Sequence, residues 1–159
     1  MNHAAINAYI RQHRDTYLGM GQMITPDLGN WTQVYSRTAF AILSANARFE
    51  VAVAALAYAN RHRGQVTAKA FRQYAMTPAK AAWVNALPVG PAILDKVTRQ
   101  VGETYHDQRL RLWDTVYGLG LCKASFLTAL LDPLNADVAC IDTHMQQMYL
   151  GNTSFVALG

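Results

Sequence analysis

Apolar residues recur along this chain mostly at helical spacing. In residues 2–18, Ile6, Tyr9, Ile10 and Tyr17 fall near one face behind Asn2, a good N-cap, and predict a first helix. MGQMITPDLGN, residues 20–30, reads as a loop broken by Pro26 and Gly29. After Asn30 a helix is expected through WTQVYSRTAFAILS, and another from about Arg48 to Asn60. Apolar positions cover most of the circumference of that second helix, the pattern of a central, buried element. RHRG then makes a turn. Thr67 caps a short helix ending near Met76, and Thr77-Pro78 starts the next with proline at the first helical position. LPVGP breaks the chain again, and AILDKVTRQV is helical. The last third holds RLRLWDTVY, then GLG, then LCKASFLTALL. After Asp132-Pro133, an extended piece, DVACI, leads to Asp142, which is placed to cap a final helix, THMQQMYL. Strand patterns are nearly absent. The expected fold is all-α: one domain over residues 1–159, built from about seven to nine short helices, with a helix-hairpin-helix at about 107–131.

Composition narrows the class. Hydrophobic residues make up 52% of the 159 and charged residues 15%, which excludes a disordered chain and supplies one closed core. The most apolar stretch, AFAILSANARFEVAVAALAYA, is broken by Asn46, Arg48 and Glu50, so no membrane span is expected. MNHAAINAYIRQHRD lacks the basic-then-apolar order of a signal peptide, and a cytoplasmic monomer is expected. Two cysteines, Cys122 and Cys140, are too few for a disulfide framework or a four-thiolate cluster and read as small buried hydrophobes. No metal site is expected. The formal net charge of +4 is compatible with a polyanionic partner, because displaced counterions favour such binding.

The chemistry concentrates in residues 118–144. Gly118 and Gly120 can take backbone angles that other residues resist, and their N–H groups can approach a ligand closely. The corner precedes a helix whose first N–H groups lack intrahelical partners and whose dipole is positive there, a combination that suits a phosphate. Lys123 adds charge one turn inside. A pair of glycines that merely ends one helix and starts the next would look the same. Asp142, in Ile141-Asp142-Thr143-His144, serves as an N-cap or as a rigidly held, ionised carboxylate, and the two roles are compatible.

Gly118, Gly120, Lys123 and Ile141-Asp142-Thr143-His144 together resemble the helix-hairpin-helix DNA glycosylase superfamily. Its signature is a Gly-x-Gly hairpin with a following Lys, then an apolar piece ending in Val-Asp-Thr-His or a variant. FAILSANARFEVAVAAL is a weaker echo of that family's early buried helices. The resemblance implies that Asp142 is the catalytic carboxylate and that the Lys, where present, attacks the sugar as a Schiff-base nucleophile. Here Lys123 stands three places after Gly120 rather than the usual two, a shift of about 100° around a helix, and the iron–sulfur ligands of one branch are missing. The wording GLGLCKASF…CIDTH is more similar to a glycosylase-derived bacteriophage branch serving thymine hypermodification. These are the helical domain attached to 5-hydroxymethyluracil DNA kinases and the amino acid:DNA transferases, also called alpha-glutamyl/putrescinyl thymine pyrophosphorylases.

That branch implies an enzyme that everts a base from DNA and replaces the pyrophosphate of a pyrophosphoryloxymethyl-uracil with an amine. It would need no cofactor beyond an amino acid or polyamine co-substrate and would work in the host cytoplasm. Asp142 would orient or deprotonate the amine, Lys123 would offset charge on departing pyrophosphate, and His144 would carry a proton. Gly118, Leu119, Gly120, Lys123, Arg109 and Arg111 would contact DNA. Trp31, Tyr35, Trp83, Trp113 and Tyr117 are candidate stacking surfaces for the base. The alternative is a DNA N-glycosylase, with or without lyase activity. A third reading, from another class, is a non-catalytic DNA-binding module.

Overall fold

The computed structural model describes Ala4, Ala8, Arg11, Gln12, Arg14, Asp15, Gly19 and residues 24–139. The remainder of the first expected helix, Cys140, Asp142, His144 and the final expected helix lie outside the described residues. Within them all regular structure is helical: α1 (Trp31–Leu43), α2 (Phe49–Arg61), α3 (Ala68–Arg72), α4 (Pro78–Asn85), α5 (Ala92–Val97), α6 (Tyr105–Thr115) and α7 (Leu121–Leu131). The all-α expectation therefore holds for this part of the chain.

The caps fall where side chains announced them. The Asn30 side chain accepts from the Thr32 and Gln33 amides, Thr67 accepts from Ala70, and Thr77 accepts from Lys80 with Pro78 just behind it. Thr104 and Asp107 form a reciprocal capping box that starts α6. α3 and α5 are shorter than expected, since the chain turns after Arg72 and Thr98 is already extended.

α1 is the hub of the fold. Val34, Tyr35, Thr38, Ala39, Ala41, Ile42 and Leu43 are buried, and the helix packs against α2, α4, α5 and α7. The expectation that α2 is the central helix fails. Its buried residues are Ala52, Ala55 and Ala59, whereas Phe49 is 68% exposed and Val53 42%. Small residues let α2 lie close against α1, while Phe49, Val53 and Leu56 line an open groove of about 740 Å³ with Phe40 of α1. A helix apolar all round is buried only if the fold supplies neighbours on every side, and here α1 has them.

The C-terminus of α1 is closed by a lysine from another helix. Lys80 Nζ donates to the Leu43 carbonyl at 2.8 Å and to the Ala45 carbonyl at 2.5 Å, and touches Met76 Sδ at 3.6 Å. A cation at a helix C-terminus meets both unpaired carbonyls and the negative dipole end. Lys80 occupies the first turn of its own helix, where a positive charge is disfavoured, so its location is explained by α1 rather than by α4. Beyond the cap the chain turns through Asn46 at φ 49°, a left-handed conformation that asparagine tolerates.

The entry to α6 is tied down by an ion pair. Arg111 Nε meets Glu103 Oε1 at 2.7 Å, and its other donors reach the Lys96 and Thr98 carbonyls and Glu103 Oε2. Hydrogen bonding from Arg111 is the main cause that lowers the Glu103 pKa from its ordinary 4.5.

Lys80→Met keeps the stem and removes the ammonium; leaving two carbonyls without their donor should cost about 2 to 3 kcal/mol in denaturant unfolding. Glu103 binds its proton less readily when folded. Its stabilisation should be full above the unfolded value near 4.5 and should disappear as pH falls through the lower folded pKa. Arg111→Gln should lose about 2 to 4 kcal/mol at neutral pH and show a flatter loss of stability in acid titrations.

Candidate functional site

The expected hairpin is present. α6 ends where Val116 donates to the Leu112 carbonyl, Val116–Gly120 turn the chain, and α7 begins with Ala124 donating to the Gly120 carbonyl at 2.9 Å. α6 and α7 pack along one another. Leu119 plugs the corner with its side chain in the core, and its N–H is taken by the Val116 carbonyl at 3.2 Å.

The two glycines have different causes. Gly118 sits at φ 86°, and a Cβ there would lie 2.5 Å from Trp83 Cε3. The indole of α4 therefore packs directly on the backbone of the corner, and only glycine admits it. Gly120 does not need special backbone angles, contrary to expectation: its φ is −75°, ordinary for an N-cap. A Cβ at Gly120 would meet nothing within 4 Å. The fold thus demands Gly118, whereas Gly120 leaves open, exposed space in front of α7.

That space faces an uncompensated helix end. Among the described residues no side chain caps α7, and its first turn holds no acidic residue. Its positive pole is available to an external anion. Lys123, in that same turn, reaches across to the hub: Nζ donates to Ser44 Oγ at 3.1 Å and lies 4.9 Å from the Phe126 ring centroid. Ser44 is the C-cap of α1, so Lys80 and Lys123 approach the same helix end from two sides. Burial first, and then repulsion by Lys123, lower the Lys80 pKa. Lys123 Nζ is thus held at the end of α1, between Ser44 and the Phe126 ring.

The remaining candidates divide. Arg111 is engaged within the protein, as described, and Arg109 places Nη2 2.7 Å from His106 Nδ1. Gly118, Gly120 and Lys123 are therefore brought together, while the two arginines belong to α6. Among the aromatics, Tyr35 is core and Trp31 is half-buried under Arg63, whose guanidinium carbon is 5.1 Å from the indole centroid. Trp83 is occupied by Gly118. Trp113 and Tyr117, before the corner, are exposed, Tyr117 by 70%. Cys122 is half-buried. Among the described residues no group of three or more His, Cys, Asp or Glu could hold a metal ion, and no helix is long and apolar enough to cross a membrane.

Sequence reasoning missed the part of Lys80 and Ser44. The signal was a basic residue in the first turn of PAKAAWVN, a position its own helix dipole opposes. Compared with known proteins, the chain matches no family model, no curated protein and no solved structure.

Gly118→Ala should destabilise the protein by about 2 to 4 kcal/mol, from the left-handed backbone and the displaced indole. Gly120→Ala should change stability by less than about 1 kcal/mol. Thermal unfolding of the pair checks the contrast, and equal losses would contradict it.

Proposed function

We propose that this chain is a DNA base-modifying enzyme in which the α6–α7 hairpin grips the backbone of the target strand. The observation that carries this reading is Gly120: an exposed glycine that the fold does not require, at the uncapped positive end of α7, beside Lys123. A phosphate fits there because backbone N–H groups, dipole and ammonium all favour negative charge. Such contacts position a strand without reading its sequence.

Asp142 is assigned the chemistry, on an everted base carrying a pyrophosphoryloxymethyl group. The amine nitrogen of an amino acid or polyamine attacks the methylene carbon, the carbon–oxygen bond breaks, and pyrophosphate leaves with that electron pair. The amine loses a proton to Asp142, and His144 carries it onward. Lys123 is assigned to the departing charge. Lys123 Nζ donates to Ser44 Oγ, a contact that ties its side chain to the end of α1 rather than leaving it free as a nucleophile.

Two measurements test the reading. Gly120→Asp installs a good N-cap and should leave thermal stability equal or higher. Its carboxylate would occupy the phosphate position, so affinity for duplex DNA should fall at least about tenfold; unchanged affinity would refute the grip. Incubation with DNA containing 5-pyrophosphoryloxymethyluracil and candidate amines, followed by digestion and mass analysis, should give an aminated nucleoside that Asp142→Asn abolishes. Free base or abasic sites would identify a glycosylase instead, and DNA binding without any product would identify a binding module.

A further inference from the structure

At the foot of the hairpin, away from the glycine corner, lies a second cavity, of about 420 Å³. Its walls are the loop between α5 and α6, with Arg99 and Gly102, the start of α6 at Tyr105, and the end of α7 at Leu131 and Asp132. The size falls in the range of small-molecule sites.

Its charges are arranged in an unusual way. The Arg99 guanidinium carbon stands 4.7 Å from the centroid of the Tyr105 ring, and its one hydrogen bond among the described residues runs from Nη1 to the Glu103 carbonyl at 2.9 Å. The Tyr105 hydroxyl donates to Asp132 Oδ2, and Asp132 Oδ1 accepts from Asn135 Nδ2 at 2.9 Å. The bond to Asp132, and then burial, raise the Tyr105 pKa, so the phenol stays a donor through neutral pH. Neither Arg99 nor Asp132 has an oppositely charged partner among the described residues, where the ion pair is Arg111 with Glu103. One cation and one carboxylate thus line the same cavity, fixed on the face and the hydroxyl of one tyrosine, and do not pair with each other.

We propose that this cavity binds a free α-amino acid as its zwitterion. The ligand carboxylate takes the remaining N–H groups of Arg99, and its ammonium takes the remaining lone pairs of Asp132. Guanidinium and carboxylate form strong, directional bonds of this type. A simple carboxylate meets Arg99 but is opposed by Asp132, and a polyamine meets Asp132 but is opposed by Arg99. A zwitterion satisfies both. Asp137, close enough to act on Tyr105, adds negative charge that favours the ammonium end. The proposal deepens the transferase reading, and rests on it for the use made of the ligand: it selects an amino acid over a polyamine as the amine donor.

Isothermal titration of the full chain with glycine, alanine and glutamate, beside acetate, methylamine and putrescine, tests it. Saturable binding of at least one amino acid, at least about tenfold tighter than the single-charge probes and putrescine, is expected. Arg99→Gln, at an exposed position where folding is not at stake, should weaken that binding at least about tenfold, and Asp132→Asn should do likewise in a protein with an unchanged melting curve. No saturable amino-acid binding, equal binding of acetate or putrescine, or an unaffected Arg99→Gln would each overturn the proposal. If DNA binding persists while amino acids fail to bind, the site is refuted and the hairpin reading stands. Amino-acid binding in a protein that ignores DNA supports the site and refutes the reading of what it serves.

Discussion

The C-terminus of α1 is where the structure is held together. A helix end presents carbonyls without intrahelical donors and a negative dipole, and burying it without partners is costly. Lys80 answers the Leu43 and Ala45 carbonyls, and Lys123 answers the Ser44 hydroxyl. α4 and α7 are thereby pinned to the same point of the hub helix, independently of how well their apolar faces pack. The same arrangement places two ammonium groups close together, which apolar contact alone would not do.

α4 carries the consequence to the corner. One turn after Lys80 it presents Trp83, whose ring lies on the Gly118 backbone where any Cβ would collide. The corner is thus held from below by an indole, closed from within by Leu119 and joined through Lys123 to the end of α1. Its outer side, at Gly120, has no partner for the helix pole among the described residues. The anion grip proposed above would rest on this division of labour: rigidity from one glycine, access from the other.

The hairpin and the Tyr105 cavity are opposite ends of the same pair of helices. α6 begins and α7 ends at the cavity, and both meet at the corner. A strand held at one end and a small ligand held at the other would be oriented by one rigid unit, stiffened at its entry by Arg111 and Glu103. Placing binding groups at the two ends of one packed helix pair fixes their separation, which is what a two-substrate reaction would require.

Local chemistry in the sequence determined the helical class, the starts of α1, α3 and α4, and the glycine hairpin, because caps, prolines and helical spacing act within a few residues. It also brought Gly118, Gly120 and Lys123 forward as a group, since they are neighbours along the chain. Which helix is central was decided by tertiary packing: AFAILS and FEVAVAALAYA are about equally apolar, and only the alanine face of the second is fully buried. The different reasons for the two glycines likewise appeared only once Trp83, remote in sequence, lay against one of them. Lys80 and Leu43, Lys123 and Ser44, and Tyr105 and Asp132 are pairs brought together by folding over long stretches of chain, where a single sequence carries no period that links them. Spacing along the backbone records local geometry, and the partner of a buried charge is a property of the assembled fold.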